Sequence, residues 1–121
     1  MSYTVIEGTT VRFLTTTPFT SIAGTVVNPD VVTFSYEVQG QNPVTFTWTN
    51  PTGDTSGTIV NTATGYFEAD IATNNNAGVW TWQWACHPSS GVDTTATQVV
   101  TEGTLTAVSY THLTLPTIYS V

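Results

Sequence analysis

The chain has 121 residues, room for one domain around one core. It is 40% hydrophobic but only 7% charged, against roughly 25% for an average globular domain, so neutral polar groups, 28 threonines foremost, must keep it in water. Arg12 alone stands against eight acids for a net charge of −7, which excludes nucleic acid and membrane surfaces as partners, because phosphate-rich surfaces need clustered Lys and Arg.

The opening "MSYTVIEGTTVRF" lacks the basic and then apolar regions of a secretory signal. No apolar run reaches the roughly 18 residues of a membrane span. Residues 1–8 are therefore expected to be a lead-in, and the product to be made and left in the cytoplasm. From residue 9 onward, Gly, Pro and Asn cut the chain into short segments that alternate with period 2, the strand pattern. "TTVRFLTT" (9–16) is the first. "VVTFSYEVQ" (31–39) gathers Val32, Phe34, Tyr36 and Val38 on one face, and "VTFTWT" (44–49) gathers Val44, Phe46 and Trp48. "GTIVNT" (57–62) is short. "GYFEADIA" (65–72) sets Phe67, Ala69 and Ile71 against Tyr66, Glu68 and Asp70. "GVWTWQWAC" (78–86) carries three tryptophans at every second position, and "TQVVTEGTLTA" (97–107) closes the series. No segment shows a 3.6-residue apolar period, so helices should be absent. The expected fold is an all-β, antiparallel β-sandwich of about seven strands spanning residues 9–107.

The tryptophan strand has one apolar face, Trp80, Trp82, Trp84 and Cys86, and one polar face, Thr81 and Gln83 with Ala85. Without a second cysteine no intrachain disulfide exists, so stability must come from the core. The expected core is Phe34, Phe46, Trp48, Phe67, Ile71, Trp80, Trp82 and Trp84. The competing arrangement is a sugar platform of outward rings, which would expose a large apolar patch. An intermediate one leaves Trp80 or Trp84 half out at a sandwich end; with Tyr66 these are the candidate ligand contacts.

No catalytic, metal or cofactor site is expected. Cys86 and His87 are neighbours on a strand and point to opposite faces, and zinc needs three or four ligands. Glu68 and Asp70 have a spacing compatible with a glycosidase pair, but a solvated strand face accounts for them better. Asp30, Asp54 and Asp93 with Asn74 to Asn76 lack the spacing of a calcium loop.

"NPDVVTFSYEV", "VTFTWTNPTGD", "TATGYFEADIATNNNAGVWTWQW" and "EGTLTA" together resemble a family of small immunoglobulin-like domains found as stand-alone reading frames among the head and tail genes of tailed bacteriophages. The chain departs from the family pattern at Thr52, where an acid is usual, and at Gln83, where a base is usual. The resemblance implies an immunoglobulin-like sandwich and a non-enzymatic structural or accessory protein of a virion. Its partners would be other virion proteins, copies of the same chain among them, reached through the loops at 16–30, 50–57, 73–77 and 87–96 or along strand edges. A glycan is the alternative ligand, for a carbohydrate-binding module; a bacterial surface adhesin repeat is a third reading. The tail breaks the composition of the rest. Val108 to Thr117 resembles a translated sequencing adapter, read through the codons GTC TCT TAT ACA CAT CTG ACG CTG CCG ACG, so residues 108–121 are expected to carry no functional information.

Overall fold

A computed structural model describes residues 2–21, 24–50, 52–87 and 98–109. Among them there is no helix. The strands, in chain order, are β1 (Ser2–Ile6), β2 (Thr10–Leu14), β3 (Val31–Val38), β4 (Val44–Thr49), β5 (Ile59–Ala63), β6 (Tyr66–Ala72), β7 (Gly78–His87) and β8 (Gln98–Val108). Period-2 alternation and β-branched side chains account for β2 to β8. β1 was not expected. Its five residues carry little pattern of their own and are held by parallel pairing with β8, from Ser2 opposite Thr104 to Ile6 opposite Val108.

The strands form two sheets, β1-β8-β7-β3-β4 and β2-β6-β5. The chain is all-β with two packed sheets, consistent with a β-sandwich. Rings from both sheets meet between them: Phe13 of β2 lies 5.1 Å from Phe34 and 5.2 Å from Trp82, and Phe67 of β6 lies 4.8 Å from Trp48 and 6.4 Å from Trp84. Val11, Ile59, Ala69 and Ile71 complete the inner face of the three-stranded sheet, and Val32, Val38 and Leu105 that of the five-stranded one. A buried ring withdraws about 150–250 Å² from water, worth roughly 4 kcal/mol or more before chain entropy opposes it. With no disulfide, those rings carry the fold.

Polar ties fix the margins. Thr101 of β8 reaches to the segment that follows β2, its hydroxyl accepting from the Thr16 N–H at 2.9 Å. Thr15 Oγ1, buried, accepts from the Phe67 N–H. At one end of the molecule Thr73 Oγ1 accepts from the Gly8 N–H and donates to the Thr9 carbonyl, while Gln41 donates to Asn76. At the other end the β5–β6 turn is clamped to the segment before β3: Asn28 Oδ1 accepts from the Gly65 N–H at 2.7 Å and bonds the Asn61 amide. Gly65 has φ +79°, and an added Cβ would lie 2.8 Å from Val26 Cγ1 and 3.1 Å from the Phe19 carbonyl oxygen, so the position requires glycine on both counts.

Candidate functional site

The tryptophans lie inside. β7 is a central strand between β8 and β3, and its inner positions face the three-stranded sheet. Trp80 and Trp84 have 0% of their surface exposed and Trp82 has 9%. Trp84 packs 4.8 Å from Phe34, and Trp80 stacks on Tyr36 at 4.6 Å. Opposite Trp82 stands Gly103, which puts no side chain on the inner face at that point of β8. Trp80 Nε1 donates to the Asn76 carbonyl at 2.8 Å, whereas the indole N–H groups of Trp82 and Trp84 are buried without a hydrogen-bond partner. Trp80 and Trp84 therefore offer no ring face to a ligand, which corrects the expectation of a contact there. Phe34, Phe67, Ile71 and Trp48 are buried too. Phe46 is only partly buried: it belongs to β4, the outer strand of its sheet, and among the described residues no strand lies beyond it to close over the ring. Tyr66, half-buried, is the remaining candidate contact and shares the outer parity of its strand with Glu68 and Asp70.

That outer face holds the chain's one cation. Arg12 stands opposite Asp70 and donates to both its carboxylate oxygens, at 2.9 and 3.1 Å, with Glu68 at 3.4 Å. The hydrogen bond from Arg12 holds the Asp70 carboxyl below its ordinary range; desolvation opposes it, and the positive charge of the guanidinium adds to the lowering. The two carboxylates thus share a guanidinium on an open sheet face and have no cleft around them, a poor arrangement for acid–base work. Asp54 has a different part. Burial alone would raise its carboxyl, but hydrogen bonds from the Ile59 N–H, the Ser56 hydroxyl and N–H, and the Thr58 N–H together lower it. It holds the crossing from β4 to β5 in shape. Cys86, on the inner face of β7, is wholly buried, and among the described residues no group of three or more His, Cys, Asp or Glu could hold a metal ion.

The loops expected to carry contacts fall at both ends of the molecule. Residues 73–77 sit with 7–9 and 39–41 at one end; 16–21 and 24–30 sit with Asn50 and Gly65 at the other. Residues 88–97 lie outside the described ones. A surface that the sequence pattern did not single out is the outer face of the five-stranded sheet. There Ser35 and Glu37 of β3, Thr81 and Gln83 of β7, and Glu102 and Thr104 of β8 line a shallow concavity of about 450 Å³ with Pro43 at its edge. Alternation puts each of these side chains outward. Only the register, Gln83 between Glu102 and Ser35 and Thr81 between Thr104 and Glu37, makes them neighbours. No family model matches the chain, and no curated protein or solved structure matches it.

Proposed function

We propose that the chain is an immunoglobulin-like domain serving as a non-enzymatic accessory protein of a phage virion, acting through protein–protein contacts. The observation that supports it best is the placement of the aromatic residues: among the described residues all four tryptophans, with Phe13, Phe19, Phe34 and Phe67, are buried, and the outward strand faces are rich in hydroxyls with few charges. A parallel N-terminal strand beside β8, with β7, β3 and β4 following in one sheet and β2, β6 and β5 in the other, accords with an immunoglobulin-like arrangement. The motif resemblance supplies the phage context. Residues 108–121 are left out of this reading as adapter-derived.

The test is pull-down with the purified chain against particles and free structural proteins of tailed phages, read by mass spectrometry. Retention of head or tail proteins supports the reading; retention of none, with the chain absent from purified virions, contradicts it. The acid-, amide- and hydroxyl-lined concavity on the five-stranded sheet favours one second reading, a glycan-binding module, which a glycan array would reveal.

A further inference from the structure

We infer that β4 is a self-pairing edge, at which two copies of this chain join their five-stranded sheets antiparallel about a two-fold axis. β4 is the last strand of its sheet. Thr49 uses its outward N–H and carbonyl on Gly53, at 3.1 and 2.6 Å, so the residues of the same parity, Thr45 and Thr47, also point their backbone groups away from β3. Among the described residues no strand lies there to receive them. Exposed edges are ordinarily guarded by a charge, a proline or a bulge. Of the other edges, β2 carries Arg12 and β5 is bulged between Asn61 and Ala63; β1 is followed by Glu7 and β4 preceded by Pro43, each guard lying just outside its strand. "VTFTWT" has none within it.

The occupant follows from self-complementarity. In a strand that pairs with its own copy about an axis at Phe46, Thr45 lies opposite Thr47 of the second copy and the reverse, so the free donors and acceptors match. Phe46 then meets Phe46 of the second copy at the close, non-hydrogen-bonded position, where side chains approach most nearly. This accounts for the ring's being only partly buried, and for Val44 beside it at 38% exposure. No side chain of β4 is charged, so nothing in the strand opposes a like-charged copy. Pro43, without an N–H, and the Gly53 bridge bound the pairing on either side. The inference gives the protein-contact reading a definite partner and rests on it to that extent.

The test is sedimentation equilibrium up to about 1 mM, where even weak contacts form, with amide exchange followed over the same range. A dimer is expected, with the Thr45 and Thr47 amides gaining protection as concentration rises. Thr47→Pro and Thr45→Pro each remove only an outward N–H, which an edge strand tolerates; each should raise the dissociation constant at least tenfold with the near-ultraviolet circular dichroism unchanged. If neither variant folds, the exchange data on the unaltered chain decide. A monomer at the highest concentration, or a dimer whose protection falls elsewhere, overturns the inference. The pull-down is read separately: a monomer that still retains virion proteins removes the self-pairing and leaves the functional reading standing.

Discussion

Among single residues, Gly65 and Asn28 have the least freedom. Alanine at Gly65 must take a left-handed conformation and push against Val26, the Phe19 carbonyl and Pro18. Gly65→Ala should therefore cost about 2 kcal/mol or more in urea unfolding, well beyond an ordinary surface change. A loss below about 0.5 kcal/mol would mean the turn rearranges freely. The tryptophans offer a comparison within one strand. Trp80 has a partner for its N–H and Trp84 has none. Trp80→Phe gives up a hydrogen bond and strands the Asn76 carbonyl, while Trp84→Phe removes an unpartnered donor. With similar ring volume lost in both, Trp80→Phe should be the costlier by about 1 kcal/mol. Equal losses in denaturant titrations would count against the hydrogen-bond assignment.

On the scale of strands and turns, Asp54 and Tyr36 predict how stability depends on pH. The Asp54 carboxyl sits below its ordinary value in the folded chain, so its contribution is present above about pH 4 and fades as pH falls through the folded value. Asp54→Asn should flatten that acid limb; an unchanged limb would place the effect elsewhere. The Tyr36 phenol is raised by desolvation, so the folded form holds its proton longer and stability falls as pH rises past about 10. Much of this scale was legible from the residues. Alternation in "GVWTWQWAC" tells which side chains share a face, and the turn residues tell where most strands stop. β1 was not legible, because what orders Ser2–Ile6 is a partner about a hundred residues away. Nor was the part-exposure of Phe46: "VTFTWT" alternates as a buried strand does, and only the strand order reveals that it stands at an edge. The outer concavity was hidden for the same reason, since alternation gives the direction of Glu37 and Glu102 and register alone gives their neighbours.

For the molecule as a whole, most large apolar side chains among the described residues, and all four tryptophans, lie in one layer between two sheets, while hydroxyl-rich strand faces point outward. Such an interior should be closed to reagents. The buried Cys86 thiol should react with a thiol probe only as fast as the domain opens, and at full speed in denaturant. The central claim, that the indoles stand between the sheets and not on a surface, is tested most directly by quenching tryptophan fluorescence with iodide and acrylamide in the native chain. The account predicts blue-shifted emission, almost insensitive to iodide and weakly quenched by acrylamide, turning red-shifted and fully quenchable on unfolding. Native emission already red-shifted and readily quenched by iodide would put the rings in water and contradict it.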